Sequence, residues 1–369
     1  DSYMSSVWLP CGDYHENYLQ DQGWWQSNFV KFKMLLLLAV VFIGIPLFAA
    51  EYWIGVGTMI GFTAMGALGV QLLIGYTGLI TLGHAAFIAV GAYTSTLMVL
   101  QFPWPQFMVD AGLAYPVSVI AAGFAAGLWC VLFGLPSAKV KGFYLILTTM
   151  AAQFITVDFI LTQYVSQIGG RGQAFSLPPG TIKIGPIVMD SEREIYYFMA
   201  VLLTLMIIGL ANLLRSRAGR AWVAIRDNDI AAEALGINIV WYKLLAFFVA
   251  GFMGGVAGAF WVSNTAALSP EHFPFFLSLW LVGVILIGGV GSIHGAIFGS
   301  VFMVVIMELL QMAVIPMGDY FPKLLIDFAY IKDAAFGLAI CGFVIYEPNG
   351  IAYRWWQIKN YFNLWPFSY

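Results

Sequence analysis

Residues 275–316 read FFLSLWLVGVILIGGVGSIHGAIFGSVFMVVIMELLQMAVIP, and the only ionisable side chains in the run are His294 and Glu308. A bilayer core about 30 Å thick is crossed by roughly 20 apolar residues, so this run holds enough apolar chain for two crossings. Gly288, Gly289, Gly291 and Ser292 divide it. The run therefore reads as spans at about 275–290 and 293–316, with a broken helix as the other option. Residues 53–100 repeat the pattern around Gly75-Tyr-Thr-Gly-Leu-Ile-Thr-Leu-Gly-His84.

Working outward, the same criterion gives ten spans, at about 33–50, 53–74, 79–100, 113–135, 142–163, 196–214, 243–262, 275–290, 293–316 and 331–347. The chain of 369 residues is 61% hydrophobic and 9% charged, against about 25% charged residues in soluble domains. The expected fold is an all-α, polytopic transmembrane helical bundle with interrupted glycine-rich helices. A segment 1–32 precedes the membrane domain 33–350, and an aromatic tail 351–369 follows it. Asp13, Glu16 and Asp21 stand where a secretory signal would be basic.

Orientation follows from the basic residues of short loops. With the start of the first span in the cytoplasm, Lys31, Lys33, Lys139, Lys141, Arg215, Arg217, Arg220, Arg226, Lys243, Arg354 and Lys359 fall inside. Arg171, Lys183, Arg193, Lys323 and Lys332 fall outside. Both termini are then cytoplasmic. Cys11, Cys130 and Cys341 are widely separated, and no two of His15, His84, His272 and His294 share a metal-ligand spacing. No metal, cofactor or nucleic acid is expected. No phosphate-binding loop is present, so the chain does not hydrolyse ATP itself.

Two loops are long. The outer loop 164–195 is rich in turn formers, including Gly169-Gly170-Arg171-Gly172. The inner loop 215–242 reads RSRAGRAWVAIRDNDIAAEALGINIVWY and looks structured. Asn228 or Asp229 supplies an N-cap, Ile230, Ala234 and Ile237 form one apolar stripe, and Gly236 followed by Asn238 ends the helix. A short amphipathic helix of this kind docks into a partner's groove or lies among lipid headgroups.

At this point a resemblance enters. Glu233-Ala-Leu-Gly236 looks like the coupling loop of bacterial ABC import permeases, and residues 216–259 resemble the branched-chain amino acid permease family of the LivM type. The 75–84 segment, Lys139-Val-Lys-Gly-Phe-Tyr-Leu-Ile-Leu147 and Gly288-Gly-Val-Gly-Ser-Ile-His-Gly295 are similar to the same family. In the outer loop, Gly169-Gly-Arg-Gly172 departs from the family's usual run. The resemblance implies a non-enzymatic inner-membrane permease working with a second homologous permease, two cytoplasmic ATPase subunits and a periplasmic binding protein. It implies ATPase coupling through Arg226, Ile230, Ala232, Glu233, Ala234, Leu235, Gly236 and Ile237. Gly169, Gly170, Arg171 and Gly172 would receive the binding protein. Branched-chain amino acids are the implied cargo, with urea, short amides or aromatic carboxylates as the alternative.

The two glycine turns have a reading of their own. Irregular backbone at membrane depth persists only when buried in protein or lining a cavity, and broken helices can present their ends to a substrate. Gly75, Thr77, Gly78, Thr81, Gly83, His84, Gly288, Gly289, Gly291, Ser292 and His294 are the candidate pathway residues. Close helix packing by small residues explains the same glycines equally well. Among acids in apolar runs, Asp158 and Glu308 are functional candidates by position. An ion-coupled secondary transporter remains the alternative of another class, although no carboxylate pair or convincing repeat supports it.

Overall fold

The computed structural model describes residues 28–138, 142–165, 175–178, 182–185, 187–189, 191–318 and 328–364. The first span, α1 (Lys31–Phe48), precedes α2 (Glu51–Tyr76), α3 (His84–Gln101), α4 (Ala114–Ala138), α5 (Tyr144–Val165) and α6 (Glu192–Arg215). Two short helices follow, α7 (Arg217–Asp227) and α8 (Asp229–Ala234). Then come α9 (Ile239–Thr265), α10 (Phe275–Gly288), α11 (Ile293–Gly318), α12 (Phe328–Tyr346) and α13 (Gly350–Leu364). Among the described residues, nine helices are long and apolar enough to cross a bilayer; the pair 330–346 and 350–362, bent by 45°, makes up to ten. The all-helical reading therefore holds, and the tail beyond residue 350 continues as a helix through 364.

Small residues set the centre of the bundle, where α3, α4 and α9 meet. A Cβ on Gly91 would collide with the backbone of Gly255, and one on Gly258 with the carbonyl of Ile88. Gly251 faces the Ala126 carbonyl and the Cys130 side chain from α4. With no hydrophobic drive between helices in lipid, such backbone proximity is what yields dispersion energy. Polar clips complete the joint: Tyr115 donates to the Ala259 carbonyl at 2.9 Å, and Ser95 and Ser118 share a hydrogen bond of 3.0 Å.

Contacts order the helix ends. Residues 216–238, the start of α11, the 347–350 turn and the last turn of α2 share one end, here the loop end. The opposite end holds the start of α2 and the first turn of α6, which is closed by a capping box between Ser191 and Glu194. Residues 175–176 and 267–268 also pair there. Glu308 lies towards this end and accepts from the Tyr52 hydroxyl at 2.6 Å, while Asp158 is exposed.

Two helices start part-way through the bundle. His84 opens α3 beside Gly69 of α2, seven residues before Tyr76 and so about 10 Å from the loop end at 1.5 Å per residue. Segment 77–83 climbs back along α2 to reach that level. Its backbone donors find partners on the way: Leu79 N–H bonds the Leu73 carbonyl at 2.8 Å, and Leu82 N–H the Thr149 hydroxyl at 3.2 Å. From the other side, residues 269–274 lead into α10, whose Ser278 hydroxyl accepts from Ala85 N–H at 2.9 Å. Gln153 holds the incoming segment by donating to the Phe273 carbonyl at 3.0 Å. Non-helical chain survives at this depth because protein side chains replace the missing helical bonds.

Candidate functional site

The loop end carries a capped unit built from residues 216–238. Ser216 starts α7 by accepting from Ala218 N–H at 3.2 Å, and the wholly buried Trp222 donates its indole N–H to the Tyr242 carbonyl at 2.8 Å. That bond fastens α7 to the first turn of α9. The sequence marks Arg215, Arg217 and Arg220 as basic residues on the cytoplasmic side and Arg226 as a coupling residue, but does not by itself reveal this helix. The available signal was Ser216 ahead of Gly219, Ala221, Trp222 and Ile225, the buried positions of α7.

Helix α8 begins as expected. Asn228 accepts from Ala231 N–H at 3.1 Å. It stops at Gly236, φ +86°, where Gly236 N–H bonds the Glu233 carbonyl at 2.9 Å and Ile237 N–H the Ala232 carbonyl at 3.1 Å. This pair of bonds is the Schellman motif, and glycine supplies the left-handed residue it requires. Asn238 then caps α9 by accepting from Trp241 N–H at 3.1 Å. Ala232 is buried against the bundle, while Glu233 and Ala234 face outward and Ile237 is half-buried. Ile230 is 72% exposed and Leu235 82%. Two large apolar side chains thus project from a helix rigidly closed at both ends.

Arg226, the last basic residue before α8, reaches into the bundle. Its Nη1 donates to the Gly75 carbonyl at 2.9 Å, while Nε and Nη2 donate to the Asp227 carboxylate at 3.1 and 3.0 Å. Its stem packs over Gly78, φ +69°, where a Cβ would sit 3.1 Å from Arg226 Cγ. Gly291, φ +86°, lies close by, 3.5 Å from Nη1 by the same measure. The turns themselves meet, since a Cβ on Gly75 would approach Gly291 N to 2.6 Å. Gln71 ties them together by donating to the carbonyls of Gly289 at 3.1 Å and Ser292 at 2.8 Å. The structure therefore brings Gly75, Thr77, Gly78, Gly288, Gly289, Gly291 and Ser292 to one place beside Arg226 at the end of α7.

Thr81, Gly83 and His84 lie deeper. The His84 ring is buried against Gly69 and Gly254, where added Cβ atoms would come within 2.6 and 3.1 Å of its Nε2. Both ring nitrogens, Thr81 Oγ1, Gln71 Oε1 and Gln153 Oε1 are buried without a hydrogen-bond partner. His294 stands apart, on an exposed face of α11 beside Phe298. Sequence reading passed over Gln71 and Gln153, although an amide inside an apolar run was the available signal. Gly169, Gly170, Arg171 and Gly172 lie outside the described residues. No group of His, Cys, Asp or Glu among the described residues could hold a metal ion.

Residues 52–332 match the family described as branched-chain amino acid transport system / permease component. The chain belongs to this family. It is accordingly a multi-pass membrane protein and a non-enzymatic transport subunit of an ATP-driven importer. Among its curated relatives is the high-affinity branched-chain amino acid transport system permease protein LivM of Salmonella typhimurium. That protein is 28% identical over 304 residues, 76% of this chain and 69% of the relative. LivM of Escherichia coli shows the same identity and coverage. The autoinducer 2 import system permease protein LsrC of Salmonella typhi is 25% identical over 272 residues, 70% of this chain and 69% of the relative. No solved structure matches the chain. Family membership sets aside the ion-coupled secondary transporter.

Proposed function

We propose that the chain translocates branched-chain amino acids, as one of two related permeases served by two cytoplasmic ATPase subunits and an external binding protein. The similarity to LivM over 76% of the chain carries this reading. Reconstitution with its partner subunits tests it. Labelled leucine, isoleucine or valine should accumulate in an ATP-dependent manner, and each should compete with the others. Uptake of urea, short amides, aromatic carboxylates or autoinducer 2 in place of leucine would replace the cargo named here.

In this reading the loop end faces the cytoplasm and α8 is the coupling helix. Ile230 and Leu235 enter a groove on an ATPase subunit, and Glu233 meets a polar or basic group at its edge. Loop 164–195, with Gly169, Gly170, Arg171 and Gly172, receives the loaded binding protein. The basic residues around 215–226 support the orientation. Arg220→Cys, in a background lacking the native cysteines, should resist an impermeant thiol reagent in intact cells and react after permeabilisation. Full labelling from outside would reverse the topology.

The pathway is proposed to run along the seam of the two glycine turns and the mid-depth start of α3. Support comes from the unpartnered polar atoms of Gln71, Thr81, His84 and Gln153. A buried polar atom without a partner costs about 1–3 kcal/mol, a cost that water or a polar solute entering the seam would offset. Arg226 links this seam to α8, so movement of the coupling helix pulls directly on the Gly75 turn.

A further inference from the structure

We propose that Lys33, His294 and Lys359 form a binding site for the phosphate headgroup of an anionic phospholipid in the leaflet at the loop end. The three side chains come from α1, α11 and α13, far apart in sequence. Lys33 Nζ stands 4.9 Å from the centroid of the Trp355 ring. Trp355 meets Phe298 edge-on at 5.9 Å, and Phe298 lies one turn beyond His294 with ring centroids 6.5 Å apart. Lys359 follows Trp355 by one turn of α13 and lies within Coulombic reach of Lys33, as does His294.

Lys33 and Lys359, like charges gathered over an aromatic floor, repel one another and attract a counter-ion. Two other cations of the loop end have one. Arg226 pairs with Asp227 at 3.0 Å, and Arg354, on the same helix as Lys359, pairs with Glu347 at 2.6 Å. Among the described residues no carboxylate pairs with Lys33 or Lys359. We assign their counter-ion to an anion of the surrounding lipid.

The surroundings choose its source. Phe32, Leu36 and Ile358 are exposed apolar side chains on the same two helices as the lysines, giving an acyl chain a wall beside the cations. Trp355 and Tyr361 on α13 are exposed, as interfacial aromatics are. Basic pockets between spans at the cytoplasmic side have the chemistry to hold anionic headgroups. A free phosphate ion would use the cations but not the wall.

Native mass spectrometry of the full chain in mild detergent tests the site, with phosphatidylglycerol and phosphatidylcholine of identical acyl chains as probes. Wild type should retain phosphatidylglycerol at least about tenfold better than Lys33→Gln/Lys359→Gln, because each near-surface lysine is worth roughly fivefold. Lys33→Gln alone, a change at an exposed position, should show the single step even if the double variant fails to fold. Lys31→Gln should retain phosphatidylglycerol as wild type does. Equal retention by wild type and Lys33→Gln would overturn the site, as would equal retention of phosphatidylcholine. Displacement of the lipid by an equal concentration of inorganic phosphate would overturn the lipid assignment.

Discussion

Transport is expected to fall by roughly ten- to a hundredfold when Arg226 is replaced by glutamine, with the membrane domain still folded. The guanidinium holds the Gly75 carbonyl at 2.9 Å and packs over Gly78, one residue before the turn that starts α8. A hydrogen bond from a charged donor contributes about 1.5–3 kcal/mol, and each 1.4 kcal/mol is a tenfold change. Without it, α8 moves and the glycine turns do not follow. ATP hydrolysis by the assembled complex should persist while substrate uptake drops, which separates lost coupling from lost assembly. Arg226→Lys keeps the charge but cannot hold Gly75 and Asp227 in one planar fork, so partial recovery is expected. Parallel loss of ATPase subunits and uptake would show that Arg226 holds the complex together and would defeat the linkage.

Gly236 gives a companion measurement at the far end of α8. A Cβ there meets nothing within 4 Å, yet φ is +86°. Gly236→Ala therefore probes the backbone alone, at a cost of about 1–2 kcal/mol for a left-handed non-glycine residue. Gly236→Trp adds bulk where an ATPase subunit would approach. A tryptophan variant with wild-type coupling would make α8 a headgroup helix and not a docking element.

The largest loss of stability is expected from Gly258→Leu. Its Cβ would overlap the Ile88 carbonyl and crowd the Ala92 nitrogen, both backbone atoms that cannot rotate aside. Overpacking by side chains alone costs about 1–3 kcal/mol, and a backbone clash between α3 and α9 exceeds that. Detergent-purified Gly258→Leu should aggregate on size exclusion or melt well below wild type. Gly337→Leu is the control, because α12 leaves open space at that position. Equal melting of the two variants would mean that α3 and α9 are not in backbone contact. Gly258→Ala, with the smallest possible Cβ, should fall between them.

Much of the molecule follows from linear sequence. Apolar run lengths determine the spans, because an unpaired backbone in hydrocarbon is too costly for anything but helix. Local side chains determine the ends of α8: Asn228 reaches only three residues ahead to cap it, and Gly236 is the residue that tolerates a left-handed turn. Charge in the short loops ranks the two orientations. These features depend on neighbours within one helical turn, or on the thickness of the bilayer, and neither needs a fold to be read.

Tertiary structure decided the rest. Nothing near Arg226 in sequence points to Gly75, 151 positions away, and nothing near Gln71 points to Ser292. The glycine runs were legible as breaks, but not as two turns packed on each other beside Arg226. His84 reads as a polar candidate in sequence, whereas its burial between Gly69 and Gly254 depends on how α2 and α9 cross. His294, which sequence grouped with it, faces the opposite way, towards Phe298 and the lysines of α1 and α13. Periodicity records which residues avoid water or seek it. Which buried residue meets which is set by the crossing of helices from distant parts of the chain, and that information exists only once they pack.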